Sequence, residues 1–101
     1  MTREQATEFV LAAIASVNRG RADQIDVSRG AEAPLYGREG VLDSMALVAL
    51  VVAVEQEVEE RLQVGVILAD EKAMSQLSNP FRTVGVFAEY LQRRHQEATE
   101  A

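Results

Sequence analysis

The chain has 101 residues, of which 48% are apolar and 26% charged, and its formal net charge is −6. That length and balance give one small globular domain with a single core and exclude a disordered chain. The acidic balance runs against sequence-independent binding to nucleic acid or anionic lipid, and the lack of cysteine removes disulfides, thiolate metal sites and protein thiol chemistry.

The first segment, residues 2–18, carries Ala6, Phe9, Val10, Ala13, Ile14 and Val17 at i, i+3, i+4, i+7 spacing, which predicts an amphipathic helix. Thr2 and Gln5 have capping-box spacing, and Gly20 is placed to supply a left-handed stop. The N-terminus has charges where a signal peptide would need an apolar run, so a cytoplasmic chain is expected.

Residues 19–43 show no sustained period and hold several glycines and a proline. This is expected to be a long connection, of a kind that is often functional in compact domains. Ile25, Val27, Leu35 and Tyr36 are its candidates for contact with the core.

A second helix is predicted from about Ser44 to about Leu62, capped by Asp43 or Ser44. On a helical wheel Leu47, Leu50, Val51, Val54 and Val58 share one face, which is the predicted core face. The opposite sector holds Ser44, Met45, Val48, Val52, Glu55 and Glu59. Two readings stand for its apolar members. Either the helix is buried on both sides in its N-terminal half, or these residues form an exposed patch that docks a partner. The longest uncharged stretch, residues 44–54, is too short to span a bilayer, so no membrane insertion is expected.

Gly65 is expected to end this helical region, and Asp70 to cap a brief helix through about Leu77. Ser78, Asn79 and Pro80 read as the start of the last helix, with Val84, Phe87, Ala88 and Leu91 as its core stripe. Phe81 and Tyr90 join that core. Residues 93–101 read as a frayed, charged tail, with His95 solvated in it, which leaves residues 1–92 as the domain. The predicted fold is all-α: a small bundle of three main helices plus one short helix.

The chemistry of enzymes finds little here. There is no G-x-S-x-G elbow for a serine nucleophile and the one histidine is in the tail. The run at residues 55–60 lacks the calcium-loop pattern and reads as a solvated face whose Glu55, Glu59 and Glu60 can steer a basic partner. Arg82, Arg93 and Arg94 are too few for a nucleic-acid patch. Ser44 is either a helix cap or an anchor for an anionic group, because free N–H groups and the helix dipole stabilise a phosphate at that end.

Three stretches carry a family resemblance: L-Y-G-R-E-G-V-L-D-S-M from Leu35 to Met45, the apolar helix L-V-A-L-V-V-A-V-E-Q-E that follows, and F-R-T-V-G-V-F-A-E-Y-L from Phe81 to Leu91. Together they resemble the acyl carrier proteins, which are phosphopantetheine-binding carrier domains, over nearly the whole chain. The resemblance implies that Ser44 receives 4′-phosphopantetheine from coenzyme A through a phosphopantetheinyl transferase. The protein would then be a monomeric carrier and not an enzyme. Asp43, Met45, Val48, Val52, Glu55 and Glu59 would meet partner enzymes, which are acyl- or aminoacyl-ligases, acyl transferases or synthases. Two features depart from fatty-acid carriers, which place acidic residues in the first turns after the serine and have a shorter segment before the last helix. Here the first turns hold Ala46 and Ala49, and the segment from Glu59 to Leu68 is longer. The run from Asp70 to Val84 looks like that of free-standing carriers served by dedicated ligases. The alternative is a small all-α interaction module in which Ser44 is only a cap.

Overall fold

Three helices dominate: α1 (Arg3–Asn18), α2 (Ser44–Leu62) and α3 (Val84–Glu100), with a single 3₁₀ turn at Gly30–Glu32 between the first two. The computed structural model describes residues 1–37, 40–69 and 79–100. Within these, backbone pairing outside helices is limited to two isolated bridges, Pro34 with Thr83 and Tyr36 with Leu42. The short helix expected from Asp70 lies outside the described residues.

Helix α1 starts as its sequence dictates. The Thr2 hydroxyl accepts from the Gln5 N–H and the Gln5 carboxamide accepts from the Thr2 N–H, a complete capping box. Its stripe of Ala6, Phe9, Val10, Ala13 and Ile14 is buried, and α1 packs against both α2 and α3. Gly20 does not provide a left-handed stop. The helix ends at Arg19 in right-handed geometry, and the Asn18 side chain then clamps the chain by donating to the Ile25 carbonyl and accepting from its N–H.

Helix α2 presents Leu47, Leu50, Val51, Val54 and Val58 to the core, all essentially inaccessible. Each contributes on the order of 1.5–3 kcal/mol before chain entropy is charged. Its end is set by Gln63 rather than Gly65: Gln63 adopts the left-handed conformation (φ 55°) and its N–H returns to the Glu59 carbonyl. From α3 come Val84, Phe87, Ala88, Tyr90 and Leu91. Phe81 closes the cluster edge-on to Phe87 and Tyr90, with ring centroids 5.1 and 5.6 Å away.

The connection between α1 and α2 is anchored rather than loose. Ile25, Ala33 and Leu35 are buried, whereas Val27 is exposed and does not pin it. Leu35 and Tyr36 N–H groups donate to the Arg82 and Phe81 carbonyls, and the Val84 N–H donates to Ala33. This pairing also explains why the last helix starts late. Residues 80–83 are held as a turn and bridge, so α3 begins at Val84, with the Thr83 hydroxyl accepting from Val86 N–H.

The tail at 93–100 is helical, not frayed. Gln92 reaches the Met1 carbonyl, Arg94 donates to the Ile67 carbonyl and pairs with Glu97, and Gln96 donates to Glu100. The segment 66–69 is strapped down by the same face: Tyr90 hydroxyl donates to the Leu68 carbonyl, and the Glu55 carboxylate accepts from Leu68 N–H at 2.8 Å.

His95 is part of this ordered end, half-buried beside Met1 and Thr99. Partial burial, and then the positive N-terminus, lower its pKa below the ordinary 6.5. The folded state therefore binds fewer protons than the unfolded one, and the stability from neutral His95 is present above pH 6.5 and lost as pH falls through the lowered folded value. Urea unfolding of wild type and His95→Gln across this range should show a loss specific to wild type. Parallel pH profiles would show that the imidazole is fully solvated.

Candidate functional site

The start of α2 divides its work between two adjacent side chains. Asp43 is the cap: its backbone is extended, its carboxylate accepts from Ala46 N–H at 2.8 Å, and its carbonyl accepts from Leu47 N–H. Ser44 is the first helical residue and makes no cap bond. Its hydroxyl is exposed and has one polar neighbour, the Tyr36 hydroxyl at 3.4 Å. The N–H groups of Ser44 and Met45 find no acceptor among the described residues.

That arrangement fits a phosphate on Ser44. Two orphan N–H groups point out of the helix start, the dipole is positive there, and the first turn of α2 contains no acidic residue. The adjacent Asp43 carboxylate is an opposing charge, and it is committed to Ala46 N–H. Tyr36 supplies a further hydroxyl for hydrogen bonding on the side of the loop.

An apolar strip runs from Ser44 along the solvent side of α2. Met45 is 85% exposed, Val48 43% and Val52 40%. The reading in which α2 is buried on both sides is thereby excluded. Val41, just ahead of the cap, is also exposed and extends the apolar surface on the N-terminal side of Ser44.

The two glutamates of that sector differ. Glu59 is exposed, and its carboxylate makes no hydrogen bond or ion pair among the described residues. Glu55 is half-buried and its carboxylate holds the Leu68 amide, so it supports the segment 66–69. Sequence periodicity placed Glu55 on the correct face but gave no sign of this partner thirteen residues away.

Tyr36 was legible only as a core contact. It is half-buried, and its position within the L-Y-G stretch ahead of Ser44 was the available signal. Gly40 is equally necessary to the loop: a Cβ there would lie 2.2 Å from the Leu35 carbonyl oxygen, so only glycine lets residues 40–42 return against residue 35. Among the described residues no group of histidine, aspartate and glutamate side chains is placed to hold a metal, and no helix is long and apolar enough to cross a membrane. No protein-family model matches the chain, and no curated protein or solved structure matches it significantly.

The division of labour has a direct consequence for stability. Asp43→Ala should destabilise the fold by about 1 kcal/mol, the usual worth of a cap. Ser44→Ala should stay within about 0.5 kcal/mol of wild type, because its only hydroxyl contact among the described residues is the long, exposed one to Tyr36. Chemical denaturation of both variants measures this, and a larger loss for Ser44→Ala would transfer the cap to the serine.

Proposed function

We propose that the chain is an acyl carrier protein that holds acyl or aminoacyl groups as thioesters on 4′-phosphopantetheine attached to Ser44. The observation that carries this reading is the exposed Ser44 hydroxyl at the first position of α2, relieved of capping by Asp43 and set beside two free amides. It supports the resemblance around D-S-M, and it weakens the alternative, in which Ser44 serves only as a cap. When attached, the group supplies the terminal thiol that this cysteine-free chain lacks.

Attachment requires the Ser44 oxygen to form a bond to the β-phosphorus of coenzyme A while the bond to 3′,5′-ADP breaks. The serine proton passes to a base of the phosphopantetheinyl transferase. What the chain itself contributes is presentation. Its hydroxyl is accessible, and the amides of Ser44 and Met45 and the Tyr36 hydroxyl are positioned to solvate the resulting phosphodiester.

Met45, Val48 and Val52 form the proposed docking strip for the transferase and for acyl- or aminoacyl-ligases, acyl transferases or synthases. Asp43 and Glu59 lie at its edges as charged contacts, while Glu55 acts by shaping the neighbouring segment. Because Ala46 and Ala49 replace carboxylates in the first turns, apolar contact dominates beside the serine. The reading includes a dedicated ligase, a monomeric carrier and a cytoplasmic location.

Incubation with coenzyme A and a phosphopantetheinyl transferase should add one phosphopantetheine to the intact mass of wild type and none to Ser44→Ala. An unmodified wild type, or a modified Ser44→Ala, would sink the proposal.

Docking is tested separately. Val52→Glu should keep the melting temperature of wild type, since the side chain is exposed, yet slow modification in the same assay. A folded variant modified at the wild-type rate would remove Val52 from the docking strip.

A further inference from the structure

Beside Ser44, between the end of the long connection and the start of α3, opens a groove of about 460 Å³ lined in part by Arg29, Glu32, Pro34, Tyr36, Arg82 and Thr83. Its volume is that of a small-ligand site. Three observations make it more than a surface depression. Tyr36 belongs to both places: it lines the groove, and its hydroxyl faces the Ser44 oxygen at 3.4 Å. The floor is fixed, because Leu35, Tyr36 and Val84 N–H groups are bonded to the carbonyls of Arg82, Phe81 and Ala33. Gly85 tightens the same corner, since a Cβ there would press on the Ala31 carbonyl at 3.0 Å.

The third observation is charge. In a chain of net charge −6, Arg3, Arg61 and Arg94 are paired with glutamates, whereas Arg29 and Arg82, which share this groove, form no salt bridge among the described residues, as is also true of Arg19, Arg21 and Arg93. Asp26 lies near enough to Arg29 for that guanidinium to favour its ionised form, although its main stabilisation comes from Ser28. Glu32 also lines the groove without pairing to either arginine. Two arginines that line one groove with Ala31, Pro34 and Tyr36 match a short aliphatic chain that ends in an anion.

We propose that this groove receives the cargo end of the group carried on Ser44, and that Arg29 and Arg82 there select an acyl group ending in a free carboxylate. The inference rests on the carrier reading and names its substrate class. Arg82, without a salt bridge among the described residues, makes the principal contact, and Arg29, whose charge acts on Asp26, the second.

The test uses the full chain modified on Ser44 by a phosphopantetheinyl transferase from two matched donors, hexanoyl-coenzyme A and adipoyl-coenzyme A. Both acyl groups have the same carbon count and differ in the terminal carboxylate. Intact mass reports attachment, and backbone amide shifts report where each cargo lies. Relative to the hexanoyl form, the adipoyl form should shift the amides of Ala31, Gly40 and Thr83. Those extra shifts should shrink as salt is raised and vanish in Arg29→Gln/Arg82→Gln. Equal shifts for the two cargoes, with attachment confirmed, would overturn the groove assignment and leave the carrier reading standing. So would an adipoyl-specific shift that survives in the folded double variant. Failure of both donors to modify Ser44 would remove the carrier reading and the groove assignment together, and failure of adipoyl-coenzyme A alone would overturn the groove assignment. The wild-type comparison of the two cargoes decides the matter even where the variant folds poorly.

Discussion

The short backbone pairing of residues 33–36 with residues 81–84 is the constraint on which the rest depends. It is only a few hydrogen bonds, from Leu35 to Arg82, Tyr36 to Phe81 and Val84 to Ala33. Yet it converts a connection with no periodicity into a fixed part of the domain. Once Leu35 is fixed, Leu42 N–H can donate to its carbonyl, and this places Asp43 at the entrance of α2. The same pairing gives the first amide of α3 an acceptor, one that a free helix start would have to find in water. Loop position, helix start and site geometry are therefore one structural event.

That event explains how a single helix start meets two demands that conflict. A cap needs a side chain folded back onto the backbone, whereas an attachment point needs a side chain directed at solvent. One serine cannot satisfy both. Asp43 takes the first task with a charge that favours the positive end of the dipole, and the Ser44 side chain is left exposed, as the proposed attachment would need. The cost is a carboxylate near the point where a phosphodiester would be formed. Hydrogen bonding of that carboxylate to Ala46 disperses part of its charge, and the two unbonded amides of Ser44 and Met45 offer compensation. The absence of other acids in the first turn of α2 keeps the field there favourable.

Much of this was legible in the sequence, and the pattern of what was not is physical. The capping box at Thr2, the span of α2 and the core stripes of all three helices follow from local spacing, because each is decided within one or two turns. The start of α3 was not legible, since residues 80–83 are diverted by pairing with a segment far away in sequence. The continuation of α3 beyond residue 92 was missed for a related reason: its stripe is polar, and it is held by Arg94 on Ile67 and Gln92 on Met1 rather than by apolar periodicity. The stop at Gln63 had no compositional sign, because a glutamine occupies a conformation that glycine usually fills. At the site, the wheel separated Met45, Val48 and Val52 from the core correctly. It could not reveal Tyr36 opposite Ser44 or the groove that Arg29 and Arg82 both line, which are brought together by the fold alone.

Glu55 shows how a charge on a functional face can be used structurally. On the wheel it belongs with Glu59, and both would be counted as steering charges. Its carboxylate, however, is spent on the Leu68 amide, while Tyr90 and Arg94 hold the carbonyls on either side of that amide from α3. The segment 66–69 is thus suspended between α2 and α3, which otherwise meet mainly through α1. At the far end of the strip from Met45 to Val52, the Glu55 carboxylate is therefore engaged by the Leu68 amide and is not a free acidic group. The exposed carboxylates near that end are Glu59 and Glu60, whose fields are screened within roughly 10 Å at 0.1 M salt. Beside the serine, the described residues are the apolar side chains, Asp43 and the Tyr36 hydroxyl. The physical character of the surface is therefore set by shape and apolar contact close to Ser44, with charge acting at the margin.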